Sequence, residues 1–169
     1  MKSLVTLIVV GVSALALSAA APSGTSTAVG AVPFAGIWHT DEISQADAEA
    51  TLRRHGLAKW ITRFRRQTPF TEPIALQLVV RRAEWDLYGK PQGKPRFAID
   101  YDAKWWLPDD RTVRKIHGTG ITTFRWSVSG GALKLRWLRT TEPDFMGIPD
   151  EVFQRALYMT RTFSAGRLP

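Results

Sequence analysis

The spacing of apolar residues changes twice along the chain, and each change marks a different kind of element. Phe34 to Thr40 predicts a short first strand. After it, Ser44-Gln45-Ala46-Asp47 has the pattern of a capping box, with Ser at the N-cap and an acid three residues on. It predicts a helix over Ala46–His55 that Gly56 stops. Leu57, Trp60, Ile61 and Phe64 then recur at i, i+3, i+4 and i+7, which predicts a second amphipathic helix ended by Thr68-Pro69.

From Pro73 the period becomes two. Ile74, Leu76, Leu78 and Val80 form one face of a strand, and Trp85 and Leu87 start the next. Gly89 to Pro95 has turn composition. Phe97, Ile99 and Tyr101 alternate with Arg96, Asp100 and Asp102; Thr112 to His117 is a weaker strand. Phe124, Trp126 and Val128 lead through the hairpin turn Ser129-Gly130-Gly131 to Leu133, Leu135 and Trp137. A loop follows over Pro143–Pro149, then one or two helical turns over Asp150–Ala156. Leu157, Met159, Arg161 and Phe163 share one face of a last strand. About eight strands with short turns predict an all-β fold: an antiparallel up-and-down β-barrel with a two-helix lid and a small helical part. A barrel of that size is filled by side chains or holds one small ligand.

The N-terminus has a different role. Lys2, the apolar run Leu4–Leu17 and the small residues Ser18 to Ala21 are the three parts of a secretory signal. Residues 1–21 are therefore expected to be a cleaved signal peptide, 22–33 a flexible spacer, and 34–169 the barrel domain. The expected location is secreted or extracytoplasmic. The 169 residues contain no cysteine, so no disulfide or thiolate metal site is available and the core must hold the fold. Seven tryptophans demand a core or pocket large enough to take them, and the formal charge of +8 adds a basic surface.

Gly36-Ile37-Trp38 resembles the Gly-x-Trp motif that opens lipocalins and fatty-acid-binding proteins, together the calycins. The helix–turn–helix after the first strand is similar to the fatty-acid-binding type, where it covers the cavity. Arg161, in Met159-Thr160-Arg161-Thr162-Phe163, resembles the basic residue those families place on the last strand, across the motif Trp. The resemblance implies a calycin-like barrel holding a small hydrophobic or amphipathic ligand, with the helices gating entry. Where fatty-acid-binding proteins carry Arg-x-Tyr, this chain has Arg161 and Phe163.

The residues expected around a ligand are Trp38, Leu76, Trp85, Phe97, Tyr101, Trp126, Trp137, Arg161 and Phe163. Arg161 has two readings, a guanidinium stacked on Trp38 or an anchor for an anionic head group. Leu57, Trp60, Ile61 and Phe64 form the apolar face of the lid, and Arg63, Arg65 and Arg66 form a basic surface on it. The basic surface is either a solvated face or a contact for an anionic cell surface. No nucleophile elbow, phosphate loop or metal-ligand spacing is present, and His39, His55 and His117 are the only histidines. No catalytic residue, metal, cofactor or nucleic-acid partner is expected. The main expectation is ligand binding inside the barrel. A filled barrel that binds an anionic surface or partner through its basic face is the alternative, as is a small-barrel cyclase or isomerase.

Overall fold

The computed structural model describes residues 34–68 and 70–168. The expected signal peptide and spacer, residues 1–33, lie outside the described residues. Eight antiparallel strands close in sequence order into a barrel: β1 (Gly36–His39), β2 (Ile74–Val80), β3 (Trp85–Pro91), β4 (Phe97–Trp106), β5 (Thr112–His117), β6 (Gly120–Ser129), β7 (Ala132–Thr140) and β8 (Phe163–Ala165). Two helices, α1 (Gln45–Arg54) and α2 (Ile61–Gln67), lie between β1 and β2; a third, α3 (Asp150–Tyr158), lies between β7 and β8.

The capping box forms as the sequence predicts. The Asp47 amide donates to Ser44 Oγ, and Asp47 Oδ2 accepts from the Ser44 amide and hydroxyl. Those bonds hold the Asp47 carboxyl below its usual range. A 3-10 turn at Ala58–Trp60 leads into α2. Ala48, Leu52, Ile61 and Phe64 join the barrel core with Ile43, Phe70 and Ile74. The apolar faces of the helices thus close the end at which β1 stops and β2 begins.

Cross-strand register fixes which side chains point inward. Trp38, Leu78 and Leu87 are successive partners across β1, β2 and β3, and Val80 pairs with Trp85. All five are buried. On the far side, Val113 pairs with Phe124, Phe124 with Trp137, and Leu133 with Phe163. Aromatic rings run through the aliphatic interior. Phe34, just before β1, places its ring 6.3 Å from Trp85, 5.3 Å from Trp105 and 4.7 Å from Trp126. Trp85 stacks on Phe124 at 6.2 Å and 8°. Tyr158, from α3, lies 5.2 Å from Phe124 and 6.4 Å from Phe163. Ring pairs at these separations add to the burial that drives closure.

Two expectations are corrected. The first concerns the last strand. Residues 157–159 end α3 instead of starting a strand, and β8 is only Phe163–Ala165. Pro149 precedes α3, and Asp150 and Glu151 occupy its first turn, where carboxylates favour a helix start. Arg161 is therefore a surface residue after the helix. It donates to Asp47 Oδ1 at 2.9 Å and has no stacking contact with Trp38; the Trp38 indole donates instead to the Phe34 carbonyl at 2.8 Å. The second concerns β4, whose regular alternation is broken. Between the pairs Leu87↔Asp100 and Trp85↔Ala103 it carries an extra residue. Asp102 has φ 59°, a left-handed value that Asp tolerates, and its amide donates to Asp86 Oδ1. A second extra residue lies between Leu87↔Asp100 and Tyr88↔Ala98; flanked by the two shifts, Asp100 stands opposite the buried Leu87, and Tyr101 is outside, 54% exposed.

Candidate functional site

Two regions carry polar chemistry that the fold places deliberately. The first is inside the barrel, at the end covered by α3. Asp100 lies beyond the last β4–β5 pairing, Lys104↔Ile116, where the two strands separate. Lys115, opposite Trp105 on β5, points inward and is 1% exposed. Its ammonium spans the fork and pairs with Asp100 Oδ2. The Tyr158 hydroxyl donates to the same oxygen at 3.0 Å and accepts from the Trp85 indole at 3.0 Å. Burial, then the Asp100 charge, push the Tyr158 pKa up, so the phenol stays a proton donor. Around this chain, Thr140 Oγ1 donates to Asp150 Oδ2 at 3.0 Å, and Gln154 Nε2 donates to Asp150 Oδ1 at 2.9 Å. Asp100 Oδ1, Glu142 Oε1 and Gln154 Oε1 are buried acceptors without a partner among the described residues.

Glu142 packs against Gly120, where an added Cβ would meet its backbone at 2.6 Å. Burial raises its carboxyl pKa, and Asp150 and Asp100 add to the shift against an opposing pull from Lys115. A raised folded-state pKa contributes stability below the unfolded value, and that contribution is lost as pH rises through the folded one. Glu142→Gln is accordingly expected to be more stable than the parent at pH 7, with the difference gone by about pH 4. Urea midpoints at the two pH values check this; an equal difference at both would contradict it.

The second region is the outer face of β1, β2 and β3. A groove of about 440 Å³ is lined by Ile37, Val79, Pro95 and Leu168 as apolar floor, with Gln77, Arg81, Lys90, Lys94, Arg96 and Arg167 around it. The outward side chains of β2 are covered here, so that strand is buried along its whole length. Arg96 donates to Gln77 Oε1 at 2.9 Å, and its guanidinium lies 4.5 Å from the Tyr88 ring centre. Lys94 pairs with Glu72 at 2.6 Å and Arg81 with Glu84 at 3.7 Å, both at the rim. The chain returns past β8 to supply Arg167 and Leu168, with the Gly166 amide bonded to the Ile37 carbonyl. A second groove of about 700 Å³ adjoins it, sharing Lys90 and Leu168, and is lined by charges of both signs, among them Asp41 and Glu42.

Comparison with protein-family models, with curated proteins and with solved structures returns no match. The geometry therefore stands alone as the guide to function.

The residues expected around a ligand divide accordingly. Trp38, Leu76, Trp85 and Phe163 are buried in the barrel core, and Trp126 and Trp137 are half-buried against it. Each of these packs in or against the core cluster. Phe97, 36% exposed, covers Gly89 at the rim, and Tyr101 and Arg161 are outside. In the helical region Leu57 and Trp60 are half-buried, while Ile61 and Phe64 belong to the core. Arg63 donates to the Gly147 carbonyl, Arg65 forks onto Glu49, and Arg66 is exposed. Among the described residues, no cluster of His, Cys, Asp and Glu could hold a metal ion. Lys115, Asp100 and Tyr158 were not expected as partners, because Asp100 and Tyr158 are 58 positions apart in sequence and join only through the bulge and α3. Of the groove cations, Lys90 and Lys94 fall in the segment read as a turn, Arg167 follows β8, Arg81 follows β2, and Arg96 reads in sequence only as a polar position of a strand.

Proposed function

We propose that this is an extracytoplasmic binding protein of calycin-like architecture, in which the barrel is a filled scaffold. Its ligand is a small amphipathic anion seated in the groove over β1–β3. One observation carries the reading: five cationic side chains surround an apolar floor in that groove, and among the described residues that line it none is acidic. Two of the aromatic side chains expected to wall an internal ligand pack on other core rings, Trp85 on Phe124 and both Trp85 and Trp126 on Phe34, which supports a filled barrel. A groove of this volume suits a small molecule, with apolar floor for affinity and a few charged groups for orientation. Arg96 is held in place by Gln77 and Tyr88, which limits the entropy lost on binding. The meander order and the buried Trp38 of Gly36-Ile37-Trp38 support the calycin likeness. The surface position of Arg161 departs from it. Secretion rests on residues 1–21.

Dodecanoate is the probe of choice, with dodecyltrimethylammonium as the cationic control, titrated calorimetrically against the parent and against Arg96→Glu with Arg167→Glu. The double variant is expected to bind dodecanoate at least about tenfold more weakly, with little change in Tm. Affinity of the parent should fall as salt is raised. Equal binding by parent and variant, or equal binding of both detergents, would defeat the groove as the site.

A second reading, a ligand inside the barrel beneath α3, is favoured by the buried acceptors Asp100 Oδ1, Glu142 Oε1 and Gln154 Oε1. These demand hydrogen-bond donors, which an amine- or hydroxyl-bearing molecule or ordered water would supply. Native mass spectrometry of protein from its own host separates the two. A retained adduct that survives the groove substitutions is the result that favours the interior.

A further inference from the structure

We propose that the turn Phe145–Ile148, together with the basic face of α2, docks the domain on an anionic lipid bilayer. The site is separate from the groove and does not depend on it. Phe145 and Met146 are the two most exposed large apolar side chains among the described residues, at 57% and 63%. They are adjacent, at the tip of a two-residue hairpin. The Phe145 amide donates to the Ile148 carbonyl at 2.9 Å, and the Ile148 amide returns the bond at 3.0 Å. Met146 and Gly147 have φ 52° and 72°, the backbone of a type I′ turn. Asn, Asp or Gly fills the first of these positions with least strain. A methionine there bears a steric cost and places a flexible apolar side chain in solvent, which the packing of the domain does not explain.

The tip is rigid. Ile148 is fully buried, the Phe145 ring meets Phe153 edge-on at 5.6 Å, and Phe153 lies 5.8 Å from Phe64 of α2. From the other side, Arg63 Nη1 donates to the Gly147 carbonyl at 2.8 Å. That bond ties the turn to α2. Lys59 and Arg66, at i−4 and i+3 from Arg63, share its side of the helical segment and are exposed. Trp60, half-buried, lies beside Lys59, whose ammonium is 5.5 Å from the indole centre. Asp144 is the exposed acid next to the tip. The balance is positive around an apolar wedge.

That combination matches the charge and depth of an anionic membrane surface. Phe145 and Met146 would enter the headgroup boundary while Lys59, Arg63 and Arg66 neutralise lipid phosphates. Each cation is worth about a fivefold gain in partitioning near such a surface. An aromatic beside the cations fits the same boundary.

The cysteine-free chain allows a direct test. Full-length protein carrying Met146→Cys with an environment-sensitive fluorophore is mixed with vesicles of phosphatidylcholine, with and without phosphatidylglycerol. Ser129→Cys, in the hairpin between β6 and β7, carries the same label as control. A blue shift at position 146, absent at 129 and dependent on phosphatidylglycerol, is expected. Lys59→Glu with Arg66→Glu should weaken it about tenfold or more. Unlabelled Phe145→Ser with Met146→Asn, chosen because Asn suits the turn, should float with anionic vesicles at least about tenfold less than the parent. No shift at 146, equal shifts at both positions, equal shifts with both vesicle types, or unchanged flotation of the double variant each overturns the proposal. So does a shift that follows protein concentration without lipid, which would assign the patch to a second copy of the chain.

Discussion

Lys115→Ala is expected to lower stability by about 3–5 kcal/mol, among the largest effects of any single substitution in the domain. The ammonium is buried, and its carboxylate partner Asp100 is nearly so. Removing the lysine strands a carboxylate whose Oδ1 already has no protein partner, leaving only the Tyr158 hydroxyl on Oδ2. Truncation also empties volume between β4 and β5, at the point where the two strands separate. Urea unfolding followed by tryptophan fluorescence measures the loss. Lys115→Met with Asp100→Leu removes both charges and keeps the volume, so most of the stability should return. A single-mutant cost below about 1 kcal/mol would show that water already compensates the pair.

Trp85→Ala is expected to cost about 3–5 kcal/mol by a different route, the loss of packed volume. Trp85 is fully buried, stacks on Phe124 and touches Phe34 and Tyr158. Its indole N–H also anchors the chain of hydrogen bonds through Tyr158 to Asp100. Tyr158→Phe isolates that second contribution. It keeps the ring but leaves the indole N–H and Asp100 short of a partner, at about 1–3 kcal/mol. Thermal and urea midpoints of both variants check the ordering. If Tyr158→Phe proved the more costly, the hydrogen-bond chain and not aromatic packing would dominate the core.

Much of this architecture can be read from residue spacing where local preference and burial agree. Ser44 and Asp47 cap a helix by themselves, and Ile74 to Val80 alternate without interruption. Ser129-Gly130-Gly131 turns with φ of 56° and 73° at its glycines, values that those residues adopt freely. The errors fall where backbone irregularity overrides alternation. In β4, Phe97, Ile99 and Tyr101 keep period two in sequence, yet two register shifts flank Asp100 and break the faces apart, and Asp100 is the residue that turns inward. At the C-terminus, Leu157, Met159 and Arg161 match period two by coincidence. Leu157 and Tyr158 are both buried, which one face of a strand does not allow and a helix lodged in a barrel end does. The candidate sites were the least legible part. The groove draws Arg81, Arg96 and Arg167 from distant segments, and the Phe145-Met146 tip lies in a loop that carries no periodic signal.

The short β8 also bears on how the chain assembles. It meets β7 through Ala132↔Ser164 and Leu133↔Phe163, and β1 through Trp38↔Ala165 and His39↔Ser164. Trp137, higher on β7, gives its amide to Met159 Sδ at 3.4 Å in place of a strand carbonyl. Every other junction joins neighbours in sequence, whereas this one joins the two ends of the domain. Its loop-closure entropy is the greatest, and its two cross-strand pairs are no more than β7 and β8 share. The order of assembly that follows is a curled sheet of β2 to β7 that forms from local pairings, with the two ends zipped together last. The same seam is then the first to part when the folded domain fluctuates, with α3 as its clasp.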